Sequence, residues 1–210
     1  YGTGKTEVSV NLALALAAEG EQVMLADLDI VNPYFRSRER RPLLEKAGVR
    51  VISSSQACSD ADVPALPAEL LTILENREIR GILDIGGDPV GARVLARFQP
   101  KIVQEDYQLI FVLNANRPEV RDAESAAAYL RSIEAVTGLT CSGLVNNTHL
   151  CGETTPAEIR KGAALAQEVS RQTGIPILCH TAERRFLESL SDLGEPVFPI
   201  AINMKKPWER

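Results

Sequence analysis

The chain of 210 residues is 45% hydrophobic, 24% charged and 5% aromatic, and its 23 basic and 28 acidic side chains leave a net charge of −5. That apolar share can bury a core, which excludes a disordered chain, and no apolar run nears the roughly 18 residues needed to cross a bilayer. Net acidity weighs against a general nucleic-acid binder, whose non-specific affinity comes from Lys and Arg displacing phosphate counterions. One domain is expected from the length. Cys58, Cys141, Cys151 and Cys179 stand far apart without a C-x-x-C pair. They show neither a zinc ribbon nor a common iron–sulfur motif and read as free thiols of a cytoplasmic protein. In that compartment the sequon-like Asn146-Asn147-Thr148 is a chance match.

In chain order, the first feature is the glycine-rich stretch Tyr1-Gly2-Thr3-Gly4-Lys5-Thr6. A phosphate-binding loop hangs from the end of a β-strand, so the chain is read as beginning inside such a loop, with the loop's start and the first strand expected upstream of Tyr1. Residues 6–19 carry apolar side chains at Val10, Leu14 and Ala17 and stop at Gly20, the pattern of a buried helix. Short apolar runs at 23–26, 49–52, 81–84, 109–113, 142–146 and 176–178 read as strands buried on both faces. Helical stripes cover 119–137 and 156–173. The second has Thr155 as N-cap, Pro156 at the first helical position and Glu158 completing a capping box. This alternation predicts the α/β class: a three-layer αβα fold around a mostly parallel central sheet of about seven strands, with ligands at the strands' carboxyl ends.

Three pieces carry chemistry. Gly2-Thr3-Gly4-Lys5-Thr6 matches the end of G-x-x-x-x-G-K-[ST]. In that loop, backbone N–H groups surround phosphate oxygens, the lysine reaches the β- and γ-phosphates and the hydroxyl meets Mg²⁺. A dinucleotide-binding G-x-G-x-x-G is excluded, because Glu7 stands where its third glycine belongs. Asp27 and Asp29 follow an apolar strand directly, and two carboxylates at i and i+2 past a strand end can serve one metal–phosphate centre. A second apolar strand ends in Asp84-Ile85-Gly86-Gly87, a carboxylate for the metal's shell followed by glycines whose N–H can approach a γ-phosphate unobstructed.

With these pieces in this order, and with Gly143-Leu144-Val145-Asn146 on a later strand, the chain resembles the MinD/ParA class of P-loop ATPases, the CobQ/CobB/MinD/ParA nucleotide-binding domain, over essentially its whole length. It is most similar to a prokaryotic branch marked by the present Tyr1–Glu7 and by the stretch from Asp27 through Asn32-Pro33-Tyr34-Phe35 to Arg36. The resemblance implies that Lys5 and Thr6 hold phosphate and Mg²⁺, that Asp27 and Asp84 hold the metal's water shell, and that Asp29 positions the attacking water. It also implies that Asn146 bonds the adenine edge, with His180 and Thr181 near the base and 192–197 as the closing segment. His149 has no motif and reads as a loop histidine. Tyr1 stands where the class has a second glycine. Glu7 stands in the cofactor-binding row where relatives carry a threonine that contacts the α-phosphate, which puts that contact in doubt. The class's signature lysine would precede Tyr1.

The function implied is an ATP-binding and ATP-hydrolysing switch that forms a homodimer. The alternative is a biosynthetic ligase on the same fold, of the dethiobiotin synthetase or cobyrinate amidase kind, using Arg36 or the Asn114-Ala115-Asn116-Arg117 segment beside the γ-phosphate. A metal-cluster carrier of the Mrp group is disfavoured by the missing C-x-x-C. Residues 36–41 hold four arginines and one glutamate, a net +3, and read either as a docking site for an acidic protein partner or as a solvated charge run. The basic tail 204–210 is too short for a membrane-binding helix and is interrupted by Pro207, so neither membrane nor nucleic acid is expected as a partner.

Overall fold

In the computed structural model, residues 2–29, 37–53 and 69–204 are described. Tyr1, Arg36, Cys58, the 30–35 part of the family stretch and the tail 205–210 lie outside them. The chain forms two compact units, Thr6–Gly86 with Ile202–Arg210, and Tyr1–Lys5 with Gly87–Ala201.

The first unit is built on the continuous apolar runs that buried parallel strands require. Helix α1 (Lys5–Ala18) leads into β1 (Gln22–Asp27), of which every residue from Val23 onward is buried. After a 3₁₀ turn at Ser37–Arg40 come α2 (Arg41–Lys46), β2 (Arg50–Ser53), α3 (Glu69–Glu75) and β3 (Ile79–Asp84). The sheet order is β2-β1-β3, all parallel, which makes β1 the central strand and explains its complete burial. Val10 and Ala13 of α1 pack with Val23, Leu25, Leu44, Val49 and Val51 into one core. Each of the valines and leucines contributes about 1.5–3 kcal/mol by leaving water.

The second unit contains α4 (Pro89–Ala92), α5 (Gln99–Ile102), β4 (Leu109–Leu113), α6 (Ala123–Thr137), β5 (Cys141–Asn146), α7 (Pro156–Thr173), β6 (Ile177–Glu183) and β7 (Val197–Ile200). Its sheet runs β4-β5-β6-β7, again all parallel. Leu113 and Leu144 from the sheet meet Val120, Ala126 and Leu130 on one side of the chain's course and Ala166 and Val169 of α7 in a shared core. This is an α/β fold of parallel sheets flanked by helices, as expected. The described strands form two hydrogen-bonded sheets, of three and four.

Strand β7 escapes the sequence pattern because it has only four residues and includes Pro199. It lies at the sheet's edge, where a missing N–H is tolerated. Helix α6 starts later than its stripe suggests: a 3₁₀ turn covers Pro118–Val120, and Asp122 caps the helix by accepting from the Ser125 N–H at 2.8 Å. The capping box expected on α7 does not form. Thr155 makes no side-chain cap bond, and the Glu158 carboxylate instead accepts from Asn116 Nδ2 at 2.9 Å.

Candidate functional site

In the second unit the loop entering α1 has glycine at the two positions that need it. Gly2 and Gly4 adopt φ +69° and +79°, with Thr3 between them outside the left-handed region. Such alternation turns successive N–H groups to one side, forming the anion-binding concavity called a nest. The carbonyls are held elsewhere. Arg117 Nε donates to the Gly2 carbonyl at 2.7 Å, and Asn147 Nδ2 donates to the Thr3 carbonyl at 2.7 Å. These side chains fill the space that Cβ atoms would need: one on Gly2 would lie 2.6 Å from Arg117 Cζ, and one on Gly4 would overlap Asn147 Nδ2.

Asn147 is itself oriented, because the Thr181 hydroxyl donates to its Oδ1. His149 lies beside the same loop, its Nε2 3.1 Å from where a Gly4 Cβ would be. The Cys151 N–H donates to His149 Nδ1 at 3.3 Å, which puts the ring proton on Nε2. That Nε2 is buried and has no hydrogen-bond partner among the described residues. Burial first, and then the charge of Arg117, hold His149 below the ordinary histidine range, so the ring is neutral.

The side chains expected at the base are spent inside the protein. Asn146 is fully buried. Its Nδ2 donates to the Ile159 carbonyl at 3.0 Å and to His180 Nδ1 at 3.1 Å, while its Oδ1 accepts from the Thr148 N–H at 3.1 Å. Because Nδ1 of His180 accepts, Nε2 carries the proton and donates to Glu195 at 3.1 Å. His180 is also fully buried and Thr181 is 3% exposed, bonded to Asn147. Asn146, His180 and Thr181 thus form one buried hydrogen-bonded network at the ends of β5 and β6.

Gly162 of α7 closes over this network, and a Cβ there would overlap Asn146 Oδ1 and Thr148 Oγ1. We expect Gly162→Ala to destabilise the protein by about 1–3 kcal/mol, as overpacking of a dense interior does. A thermal melt reads this as a drop of about 2–4 °C per kcal/mol for a chain of this size. An unchanged melting temperature would remove the network from the stability argument.

In the first unit, Asp27 and Asp84 end neighbouring strands as register partners, each 2% exposed. The two aspartates thus end adjacent strands, whose backbones run about 4.8 Å apart. Burial pushes the Asp27 carboxyl above its usual range, partly offset by the Arg38 backbone N–H and guanidinium, 3.4 and 3.9 Å from Oδ2. The other oxygen, Oδ1, is buried without a hydrogen-bond partner among the described residues. Asp29 lies just past the strand end, half-buried.

Glu7 has a job that differs from the one expected. It is buried, and its two oxygens accept from the Asn203 and Met204 N–H groups at 2.8 and 3.0 Å, tying the chain at 203–204 to α1. Burial raises its carboxyl above the usual range despite these bonds. Oε1 also accepts from Asn11 Nδ2 at 3.2 Å, so the carboxylate is engaged within this unit. Of the basic run 36–41, residues 37–41 are described. Ser37 is fully buried, Arg38 reaches Asp27, the Arg40 charge acts on Glu7, and Arg41 pairs with Glu45 at 3.1 Å. Arg38 and Arg40 thus act on buried carboxylates, while the Arg41–Glu45 pair is exposed.

Lys5 and Thr6 are the first two residues of α1, as the motif requires, and both are half-buried. The Gly87 carbonyl accepts from the Tyr129 hydroxyl at 2.8 Å, which fixes the peptide after the Asp84 strand. At the loop stand Arg117, read from sequence only within the 114–117 segment of the ligase alternative, Asn147, read as part of a chance sequon, and His149, read as a loop histidine. Their available signal was position: polar runs directly after β4 and β5, at the carboxyl ends where parallel sheets bind ligands.

Comparison with known proteins follows this geometry. No curated protein sequence matches the chain. Among solved structures, FtsY from Mycoplasma mycoides is similar at a TM-score of 0.54 and 16% identity, over 85% of this chain and 56% of FtsY. The chain thus spans little more than half the length of FtsY, and at that identity the likeness speaks for the fold. A nucleotide-binding protein in complex with ADP from Archaeoglobus fulgidus has a TM-score of 0.39 at 15% identity, covering 96% and 78% of the two chains. D-threo-3-hydroxyaspartate dehydratase from Delftia sp. HT23 scores 0.41 at 16%, covering 92% and 57%. Both fall below the level at which likeness supports an argument. Residues 2–199 match the family model described as CobQ/CobB/MinD/ParA nucleotide binding domain. A nest at Gly2–Gly4, a lysine opening α1 and paired strand-end aspartates are what such a domain needs, and the chain belongs to the CobQ/CobB/MinD/ParA nucleotide-binding domain family.

Proposed function

We propose that the chain is a Mg²⁺-dependent ATP-binding and ATP-hydrolysing switch of the MinD/ParA type, one domain working in the cytoplasm as a homodimer under nucleotide control. The observation that carries this reading is the nest at Gly2-Thr3-Gly4, opening directly into α1 at Lys5. Loop N–H groups and a helix N-terminus together favour a phosphate chain. Lys5 would add its ammonium to the β- and γ-phosphates, and the Gly87 N–H would serve the terminal phosphate.

The side chains fit magnesium. Asp27 Oδ1 is a buried oxygen without a hydrogen-bond partner among the described residues, and Asp84 is its register neighbour. Magnesium keeps several waters and takes one or two carboxylates plus phosphate oxygens. It therefore needs no cluster of three His, Cys, Asp or Glu side chains, and the described residues contain none. Thr6, Asp27 and Asp84 would hold it, and when bound it would supply charge neutralisation on the phosphates. Asp29 orients the attacking water, and turnover rests chiefly on positioning and charge stabilisation.

The test is phosphate release by the purified protein given ATP and Mg²⁺ with no small-molecule acceptor. A switch releases phosphate under those conditions, whereas the ligase alternative releases it only with its acceptor. Asp29→Ala is expected to keep ATP binding and to lose roughly 10²-fold or more in turnover, the usual scale for removing a group that handles the nucleophile's proton. Equal rates for the two proteins would take Asp29 out of the mechanism. Light scattering with and without ATP reads the homodimer.

A further inference from the structure

Arg117 sits 115 residues from the loop in sequence, yet its Nε–H donates to the Gly2 carbonyl at 2.7 Å. Its guanidinium covers the face of Gly2 where any side chain would begin. The residue is half-buried, and among the described residues no carboxylate forms an ion pair with it. A partly buried guanidinium without an anionic partner leaves positive potential directly behind the loop. That field is felt at His149, whose protonation it opposes. Asn147 grips the next carbonyl, that of Thr3, at the same distance. Two consecutive loop carbonyls are thus each held by a donor that follows β4 or β5, where positive φ at Gly2 and Gly4 flanks Thr3.

We propose that Arg117 is a positioning residue of the phosphate loop, clasping it at Gly2 from the carboxyl end of β4 and lending it charge, so that a di- or triphosphate meets a loop already open. The inference rests on the nucleotide reading given above. Its physical basis is preorganisation: a glycine-rich loop has many conformations to lose, and a clasp that removes them before binding spares the ligand that cost. Arg117 acts through the loop backbone. Its loss therefore weakens every ligand that carries a diphosphate, in proportion to phosphate content and independently of the base.

The experiment measures binding of inorganic pyrophosphate, ADP and AMP by calorimetry to the wild-type chain and to Arg117→Ala, Arg117→Gln, Arg117→Lys and Lys5→Ala, with thermal melts of each. Arg117→Ala is expected to weaken pyrophosphate and ADP by about tenfold or more with AMP little changed, the scale of one charge-assisted hydrogen bond. Arg117→Lys, which keeps a donor and the charge, should recover most of the loss, and Arg117→Gln, which keeps only a donor, should fall between. If Arg117→Ala does not fold, the order wild type, Lys, Gln carries the same test. Pyrophosphate binding unchanged in Arg117→Ala or Arg117→Gln, while Lys5→Ala abolishes it, overturns the clasp and leaves the nucleotide reading standing. A folded wild-type chain that binds neither pyrophosphate nor ADP overturns both.

Discussion

Lys5→Ala is expected to leave a folded protein that no longer binds ATP through its phosphates. Lys5 is the first residue of α1 and follows the nest at Gly2–Gly4, so its ammonium adds to a backbone site that the glycines already form. Charge-assisted hydrogen bonds are each worth about 1.5–3 kcal/mol. Losing two, to the β- and γ-phosphates, costs about 3–6 kcal/mol, or roughly 10²–10⁴ in affinity. The diagnostic is the gap between ATP and AMP. In the wild type ATP should bind far more tightly, and in the variant the two affinities should converge while the melting temperature of the free protein stays close to that of the wild type. A variant that still prefers ATP over AMP would place the phosphates elsewhere.

Asp27→Asn is expected to act in opposite directions on stability and activity. The Asp27 carboxyl is 2% exposed, burial pushes it above its usual range, and its register partner is a second aspartate. The ionised form of Asp27 therefore bears the cost of burial. An amide of the same shape removes that cost. The free protein should gain about 0.5–2 kcal/mol, the usual yield when a site kept for function is relaxed, seen as a rise of roughly 1–8 °C in melting temperature. Mg²⁺-dependent hydrolysis should fall by about 10²-fold or more, because an amide is a poorer ligand for a hard cation. A variant both less stable and fully active would show that Asp27 is there for the fold alone.

Much of this was legible before any coordinates. Strands buried in parallel sheets read as unbroken apolar runs, and those ending in Asp27, Asp84 and Asn146 were found within one or two residues of their observed ends. The Gly-Thr-Gly-Lys-Thr spacing announced the nest and the helix start, because the backbone angles there demand glycine. What failed were inferences about where a side chain turns. Thr155 and Glu158 have the spacing of a capping box, but Asn116, 42 residues away, recruits the glutamate. Glu7 lies one turn into α1 as the family pattern has it, and the chain at 203–204 claims both of its oxygens.

The two asparagines at the end of β5 make the division plain. Successive residues of a strand face opposite sides. The sequence by itself determined that polar side chains would stand at that strand's carboxyl end, just as it determined the family, the phosphate loop and the order of the aspartates. Only the tertiary structure decided that Asn146 turns under α7 to meet Ile159 and His180, while Asn147 turns to the loop and holds Thr3. It decided, too, that Arg117 reaches Gly2 across 115 residues. The physical reason is common to both. Motif spacing specifies backbone conformation and chemical type over a few residues, whereas the partner of a side chain depends on which distant strands and helices the folded core brings beside it.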